Sequence, residues 1–303
     1  MANKDINTVA EVTELTGSDQ ILISKDGNKV RKLSMANLAS SLYAQGMFSN
    51  QIDISTAGVH NSIYRGKNLG TSFTTAQSSV ISTGAFTDMF IGDYWTLNNR
   101  VYRIACFDPA FNCGDGSGVG ALTAANKHHI AVVPDAALYN AQMHNTQSGA
   151  YESGNTANTT AGGYVGSDMR TTNLAQATTT IEGDFGSAHV LSYRDLLTNN
   201  VGTYQSIANV ASGWAWTDCR VELMSETMVW GTKFWAPSTL EGGIMAFQLP
   251  LFRLNPRLIH TRYSYWLRGV SSATAFASVN SYGYPNTNSA STVFGVRPLA
   301  LIC

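Results

Sequence analysis

Charged side chains are scarce in this sequence. Only 13% of the 303 residues are Asp, Glu, Lys or Arg, against roughly 25% in an average soluble domain, while hydrophobic residues make up 44%. The polar surface must therefore consist largely of Ser, Thr, Asn, Gln and Gly, a composition associated with adhesins and particle-bound proteins. The net charge of −1 gives no basic face of the kind that nucleic-acid binding usually needs, so we expect no nucleic-acid partner.

Targeting segments are missing as well. The N-terminus lacks the apolar stretch of a secretory signal, and no run approaches the roughly 20 apolar residues of a membrane span. We therefore expect synthesis in a cytoplasm and no membrane insertion. In a long chain without an export signal, cysteines are expected to be reduced. A disulfide bond between Cys106 and Cys113 remains an alternative to this prediction. The other two cysteines are Cys219 and Cys303.

The motifs of common enzymes are also absent. There is no Gly-x-Ser-x-Gly elbow and no His-Glu-x-x-His, and the glycine-rich residues 114–120 lack the Lys-Ser/Thr ending of a phosphate-binding loop, so they predict a flexible turn. Glu222 and Glu226 are four residues apart, a spacing that places both on one face of a helix. A solvated helix face explains them better than a glycosidase pair. We expect no enzyme and no cofactor.

Metal-binding patterns are equally weak. Adjacent residues of a strand point to opposite faces, so we expect one of His128 and His129 to lie at a strand edge and the other to face water. No nearby acidic residue or cysteine completes a site around them. Asp108 and Asp115 could offer oxygen ligands to Ca²⁺, but their spacing alone is not a site, and we expect no metal.

The first fifty residues predict a hairpin followed by a helix. Two short apolar runs, residues 20–24 and 29–33, flank an Asp-Gly turn, and Ser34 can cap a helix that ends at Gly46. A hairpin and one short helix cannot bury a core alone, so this segment is expected to associate with copies of itself, or else to pack on its own C-terminal domain. The apolar residues concerned are Ile21, Ile23, Val30, Leu33, Leu38 and Leu42.

The middle of the chain predicts mixed elements. We expect a helix from Thr74 or Thr75 to Ile81, a strand pair over residues 91–107 turned at Asn98 and Asn99, and a buried strand over residues 130–133. Further helices are predicted from Asp135 to about His144 and, capped by Ser192, over residues 193–197. Residues 146–163 have almost no aliphatic side chain and predict a long surface insertion.

The C-terminal region carries the most informative pattern. Residues 265–269 and 294–299 have strand composition, and the tract between them, residues 271–291, is rich in Tyr, Asn, Ser and Gly. Tyr gives a large rigid contact area, while Ser, Gly and Asn supply adaptable hydrogen bonds. Its residues of interest are Asn280, Tyr282, Tyr284, Asn286 and Asn288. A plain exposed loop is the alternative. Trp214 and Trp216 are a candidate surface pair, whereas Trp230, Trp235 and Trp266 favour a core.

Several ordered blocks resemble the C-type-lectin-like domains of bacteriophage fibre and tropism-determinant proteins. The blocks are Ile-Gly-Asp-Tyr-Trp at 91–95, His-Ile-Ala-Val-Val-Pro-Asp at 129–135, Gly-Gly-Tyr-Val-Gly-Ser-Asp-Met at 162–169, Gly-Trp-Ala-Trp at 213–216, Tyr-Trp-Leu-Arg-Gly at 265–269 and Phe-Gly-Val-Arg-Pro-Leu at 294–299. Calcium-dependent sugar lectins of this family carry a Glu-Pro-Asn or Gln-Pro-Asp triplet, and this chain has neither.

The resemblance implies a fold and a role. It implies an α+β protein in which residues 51–303 form a C-type-lectin-like domain with long insertions, preceded by a β-hairpin-helix anchor at residues 1–50. The implied protein is a homotrimeric head or tail fibre at the virion surface. Its anchor would dock to a capsid or baseplate protein, and its C-terminal tract would bind a bacterial surface glycan or protein.

Two other roles remain open at this point. One is a structural capsid-decoration or baseplate component that makes no receptor contact. The other is an enzyme, because related lectin-like folds include oxidases that use reactive cysteines, although neither Cys106 nor Cys219 sits in a matching motif. We expect the receptor-binding role.

Overall fold

A computed structural model describes residues 20–25, 29–34, 38, 56–122, 127–144, 158–234 and 243–303. The chain divides into two compact units, residues 1–53 and residues 54–303. Each unit is described by itself.

The first unit contains the hairpin that the sequence predicts. Strand β1 (Gln20–Lys25) pairs with β2 (Lys29–Ser34) in an antiparallel register that places Ile21 opposite Leu33 and Ser24 opposite Val30. Leu38 has helical backbone conformation. The remainder of the predicted helix, including Leu42, lies outside the described residues, and the anchoring role of this unit stays a prediction.

The second unit is a mixed α and β domain made mostly of strands. Its strands are β3 Asn68–Gly70, β4 Tyr94–Leu97, β5 Arg100–Phe107, β6 Ile130–Pro134, β7 Tyr139–Ala141, β8 Tyr193–Tyr204, β9 Ile207–Cys219, β10 Val221–Leu223, β11 Tyr265–Val270, β12 Ala275–Val279, β13 Pro285–Ser289, β14 Phe294–Val296 and β15 Pro298–Ile302. Its α-helices are α1 Ala57–His60, α2 Thr75–Ser82, α3 Leu174–Phe185, α4 Glu226–Trp230 and α5 Pro250–Leu254, with a π-helical turn at Met169–Asn173 and 3-10 turns at Ser187–His189 and Pro256–Leu258.

The described residues of this unit form three sheets. A six-stranded sheet has the order β10-β15-β6-β5-β4-β3, a five-stranded sheet has the order β13-β12-β11-β14-β7, and β8 pairs with β9 in a long two-stranded hairpin. The chain passes directly between the two larger sheets three times, from β6 to β7, from β10 to β11 and from β14 to β15. The last strand is therefore internal to the six-stranded sheet, and all five of its residues are buried.

Arg297 connects the two larger sheets at the junction of β14 and β15. Its guanidinium is buried and donates hydrogen bonds to the carbonyl oxygens of Pro134, Leu258 and Ile259, at 2.8, 3.0 and 3.1 Å. It also lies 5.1 Å from the ring centre of Tyr265. Because a buried charge is stable only when its donors are satisfied, these bonds fix the position of the five-stranded sheet against the rest of the domain.

Several local predictions are confirmed. Helix α2 begins after Thr74, whose hydroxyl accepts from the Gln77 amide while the Gln77 side chain bonds back to Thr74, a reciprocal capping box. Strands β4 and β5 turn at Asn98 and Asn99, which both adopt left-handed conformations. Strand β6 is buried along its whole length.

The helix predicted after Asp135 is wrong. Asp135 instead accepts hydrogen bonds from Arg103 at 2.6 and 2.8 Å, and the chain continues into β7, which pairs with β14. The helix predicted after Ser192 is also wrong. Those residues begin β8, where Tyr193, Asp195 and Leu197 are buried and the residues between them are not. In both places long-range strand pairing overrides a plausible local cap.

The prediction for the two adjacent histidines is wrong as well. His129 is fully buried, and its Nε2 accepts a hydrogen bond of 3.1 Å from the Ala110 amide. His128 bonds through Nδ1 to the Asp108 carboxylate at 2.6 Å, and its ring stacks on Phe111. Asp108 also accepts from the His129 amide at 2.8 Å. An acidic partner twenty positions away in sequence was not recognisable without the fold.

The predicted surface insertion packs into the domain at its end. Residues 145–157 lie outside the described residues, but Thr160 is fully buried. Its hydroxyl donates to the Ser272 carbonyl at 2.8 Å, and its amide donates to the Ala273 carbonyl at 2.9 Å. This part of the insertion therefore supports the turn between β11 and β12.

Candidate contact site

The C-terminal tract forms a hairpin in which β12 and β13 are joined by residues 280–284. The side-chain oxygen of Asn280 accepts hydrogen bonds from the amides of Tyr282 and Tyr284, each at 3.0 Å. The Asn280 amide donates to the Tyr284 carbonyl at 3.0 Å, and the Gly283 amide donates to the Asn280 carbonyl at 2.9 Å. Four bonds within five residues define this turn, which we call the tyrosine tip.

Two large aromatic rings of the tyrosine tip are presented to solvent. Tyr282 is 78% exposed and Tyr284 is 67% exposed. Exposed aromatic side chains of this size are uncommon away from contact surfaces, because most of their area favours burial. The turn therefore offers two rigid rings on a backbone that its own hydrogen bonds hold in place.

Two segments outside the tract support the tip from behind. Trp230, at the end of α4, donates a hydrogen bond of 3.3 Å from Nε1 to the Gly283 carbonyl. Gly283 has a φ of +88°, and a Cβ on it would lie only 2.9 Å from the Cβ of His260. Only glycine fits this left-handed, closely packed position. The Phe234 ring packs edge-on against Trp230, and Tyr263, three residues after His260, is exposed.

The amides of the tract have mixed roles. Asn286 and Asn288 are half-buried on β13, the edge strand of the five-stranded sheet. The Asn288 side-chain oxygen accepts from the Ser278 hydroxyl at 3.0 Å, and the Asn286 oxygen accepts from the Thr287 amide at 2.9 Å. Within the described part of the chain, the side-chain Nδ2 atoms of Asn286 and Asn288 donate no hydrogen bond to a protein acceptor. These two groups can therefore donate to water or to a ligand. Asn280, by contrast, uses its oxygen to build the turn.

A buried ion pair lies beneath the same sheet. Arg268 of β11 donates from Nη1 to Asp195 of β8 at 2.8 Å, and both side chains are buried. The second Asp195 oxygen accepts from the Ile244 amide at 2.8 Å. This pair ties the five-stranded sheet to the β8–β9 hairpin.

The structure does not bring the two predicted tryptophans to the tyrosine tip. Trp214 and Trp216 lie on β9, in the two-stranded sheet. Trp216 is 37% exposed, and Trp214 packs edge-on against Tyr204. Among the described residues no hydrogen bond or ring contact joins either of them to residues 280–288. Trp266 is fully buried and Trp230 half-buried, while Trp235 lies outside the described residues.

The two glutamates are not on a solvated helix face. Glu222 is a buried residue of β10, where it accepts from the Tyr164 hydroxyl at 2.7 Å and from Arg170 Nε at 3.1 Å. Glu226 begins α4 and is fully buried, and it accepts from the Phe234 amide at 3.2 Å. The prediction assumed one continuous helix. Instead, Glu222 belongs to strand β10, and Glu226 is the first residue of helix α4.

The cysteines are free thiols, and Asp115 is held in an ion pair. All four cysteines are free, and burial raises the pKa of the Cys106 thiol to about 12 and also raises that of Cys219, so both stay protonated at neutral pH. Asp115 is paired with Arg194 and Ser117. No group of three or more metal-binding side chains occurs among the described residues.

Comparison with known proteins gives no relative. No family model matches the chain, and neither a curated protein nor a solved structure shows significant similarity to it. Within the described ranges, no helix has the length and apolarity that a membrane crossing requires.

The sequence predicted a displayed tract that contains the two tyrosines, but it did not predict the residues that contact Gly283. Trp230 and His260 lie in other elements, and only the fold places them against Gly283. The one local signal was the glycine between two tyrosines, because a glycine in a short polar turn often marks a left-handed position.

Proposed function

We propose that this chain is a fibre protein of a bacteriophage virion and that it attaches the particle to a bacterial surface glycan or protein through the tyrosine tip. One observation carries the proposal: Tyr282 and Tyr284 are exposed on a turn whose backbone is held by Asn280 and, from behind, by Trp230. Rings held in this way lose little conformational entropy on binding.

The surroundings of the tip suit a neutral contact. The tract from residue 271 to residue 291 contains no charged side chain. Recognition there would rest on aromatic stacking and amide hydrogen bonds, which fit a carbohydrate or an uncharged protein patch. Such contacts are individually weak, but several copies on one particle multiply them, because linked binding events raise the effective concentration at the surface.

Features of the fold support the finer assignment to the C-type-lectin-like class. In the phage domains that this sequence resembles, a Trp-Leu-Arg strand pairs with a Gly-Val-Arg-Pro strand, and here β11 pairs with β14 at Tyr265 and Gly295. The block at residues 91–95 leads into β4, which forms a hairpin with β5 in the six-stranded sheet. We further propose a homotrimer whose first fifty residues dock to a capsid or baseplate protein. The proposal assigns no catalysis and no cofactor.

Binding of the purified full-length protein to intact candidate host cells tests this function. The test variant carries Tyr282→Ala and Tyr284→Ala, which remove both rings but leave the turn-forming Asn280 and Gly283 in place. The matched control carries Val293→Ala and Phe247→Ala, two exposed apolar residues outside the tip. We expect binding by the parent and the control, and a loss of at least about tenfold in the test variant, the size expected for aromatic hot spots.

Thermal unfolding of the three proteins shows whether the folds are equivalent. Equal binding by folded test and parent proteins would overturn the role of the tip. Absence of binding by the parent to every candidate host would instead favour a structural capsid-decoration or baseplate component.

A further inference from the structure

We infer that the ligand of the tyrosine tip is an acidic polysaccharide and that Arg257 and Arg262 bind its carboxylate groups. Both arginines belong to residues 256–263, a segment called the arginine flank below. The inference rests on the proposed attachment function and narrows its ligand to one class. Three observations carry it: the flank lies against the tip, its two arginines have no partner among the described residues, and the C-terminal part of the chain contains no acidic residue.

The arginine flank lies directly against the tyrosine tip. A Cβ on Gly283 would be 3.4 Å from the backbone nitrogen of His260 and 3.5 Å from its Cα. Arg262 follows His260 by two residues and Arg257 precedes it by three, so their Cα atoms lie at most about 8 and about 11 Å from that of His260. Both arginines are exposed, as is Tyr263. Charge and exposed rings therefore adjoin on one surface.

Buried groups hold the backbone of the flank. Arg297 donates hydrogen bonds to the carbonyl oxygens of Leu258 and Ile259, and the Tyr265 hydroxyl donates to the Ile259 carbonyl at 2.8 Å. Arg262 itself has a φ of +66°, in the left-handed region that favours glycine. Side chains presented from such backbone positions are concentrated at functional sites.

The two arginines of the flank differ from the other described arginines of this unit. Within the described residues, neither the Arg257 nor the Arg262 guanidinium forms an ion pair or a hydrogen bond. Arg253 and Arg297 donate to carbonyl oxygens. The remaining seven form ion pairs: Arg65, Arg100, Arg103, Arg170, Arg194, Arg220 and Arg268. The donors of Arg257 and Arg262 are therefore left for a ligand.

The C-terminal part of the chain is entirely without acidic residues. Residues 242–303 contain five arginines and no Asp, Glu or Lys. Arg268 is neutralised by Asp195, and Arg297 is buried. The exposed charge that these residues contribute is therefore only positive, although the net charge of the whole chain is −1. A patch of one sign attracts ligands of the opposite sign.

An acidic polysaccharide combines the two kinds of group that this surface fits. Aromatic rings stack on the apolar faces of sugars, and the tip supplies Tyr282 and Tyr284 for that contact. The planar guanidinium of arginine binds a carboxylate through two parallel hydrogen bonds. A polymer of uronic acids carries a sugar face and a carboxylate in every unit. Two free arginines on a chain of net charge −1 disfavour a nucleic acid, which needs a larger basic surface.

Cell binding of full-length charge variants tests the inference. The test variant carries Arg257→Gln and Arg262→Gln. The matched control, Lys67→Gln with Lys127→Gln, loses the same charge from other segments, next to β3 and ahead of β6. Thermal unfolding checks that each protein is folded. Binding is measured in about 50 mM and about 300 mM NaCl, because salt screens exposed charges.

At low salt we expect the test variant to bind at least about tenfold more weakly than the parent, the size of one charged hydrogen bond or more. The difference should shrink at high salt, and the control should match the parent. Amidation of the cell-surface carboxylates with a carbodiimide and ethanolamine should weaken the parent to the level of the test variant. Digestion of the cells with proteinase K should leave binding intact.

The failures of the two proposals can be told apart. Full binding by the Arg257 and Arg262 variant, with loss in the Tyr282 and Tyr284 variant, would overturn the acidic ligand and leave attachment through the tip in place. Loss of binding after proteolysis would identify a protein partner instead, and binding unaffected by amidation would exclude carboxylates. A parent that binds no candidate cell would overturn attachment itself, and this inference with it.

Discussion

The indole Nε1 of Trp230 donates a hydrogen bond of 3.3 Å to the carbonyl of Gly283. This bond joins the end of helix α4 to the turn that presents Tyr282 and Tyr284. The two residues are far apart in the sequence, so the position of the exposed tyrosines depends on the tertiary structure as well as on the turn itself.

Replacement of Trp230 by Phe should loosen the tip with little loss of global stability. The substitution keeps an aromatic ring but removes the donor, and one neutral hydrogen bond contributes about 1 kcal/mol. We expect faster amide hydrogen exchange in residues 281–284 and weaker cell binding, with a thermal midpoint close to that of the parent. Unchanged exchange in the tip would show that this bond does not hold it.

Asn280→Ala should lower the free energy of unfolding more than Asn286→Ala, a matched change on the neighbouring strand β13. It removes the oxygen that accepts from both tyrosine amides, and we expect a loss of about 1 to 2 kcal/mol in the free energy of unfolding by urea. Asn280→Asp keeps an acceptor and should restore most of that loss. Asn286→Ala serves as control. An effect of Asn280→Ala no larger than that of Asn286→Ala would contradict the proposed role.

Removal of one partner of the Asp195–Arg268 ion pair should strongly lower the free energy of unfolding. Both groups are buried and hydrogen-bonded, so Arg268→Met leaves a carboxylate in the interior without its cation. We expect a loss of about 3 to 5 kcal/mol in the free energy of unfolding. The double variant with Asp195→Leu should lose less than the sum of the two single losses. Strict additivity of the two changes would show that the pair is not energetically coupled.

Acid should destabilise the protein through His129. Burial is the main cause that lowers the pKa of this side chain to about 4 in the folded state, below about 6.5 for an unfolded chain. The neutral ring therefore favours folding at and above pH 6.5. The unfolded state takes up the proton first as the pH falls, and about 3 kcal/mol of stability is lost between pH 6.5 and pH 4.

Urea unfolding at intervals from pH 7.5 to pH 4 measures this dependence. His129→Gln, which keeps a hydrogen-bonding side chain but does not titrate, should have a flatter profile in the same window. The carboxylate of Asp88, whose pKa is lowered to about 2 by Lys67 and Arg65, responds only in more acidic solution. Parallel profiles for parent and variant would exclude His129 as the source.

The elements that sequence reasoning predicted correctly are those fixed by neighbours in the chain. The helix that begins after Thr74, the turn at Asn98 and Asn99 and the buried strand β6 all follow from residue types within a few positions. The errors share a different cause. Asp135 and Ser192 are good helix caps, yet the chain beyond each becomes a strand, because pairing with β14 and with β9 stabilises it more than a short isolated helix would be stabilised.

The sequence by itself determined the local chemistry of this protein: a scarcity of charge, a tract of tyrosine and asparagine, and short turns such as the one at Asn98 and Asn99. The tertiary structure decided where that chemistry lies. It buried His129 and Glu222, placed Trp216 in a different sheet from the tyrosine tip, and brought Trp230 and His260 against Gly283. Those outcomes rest on contacts between residues distant in sequence, whose free energies depend on burial and on strand register, and no local pattern specifies either quantity.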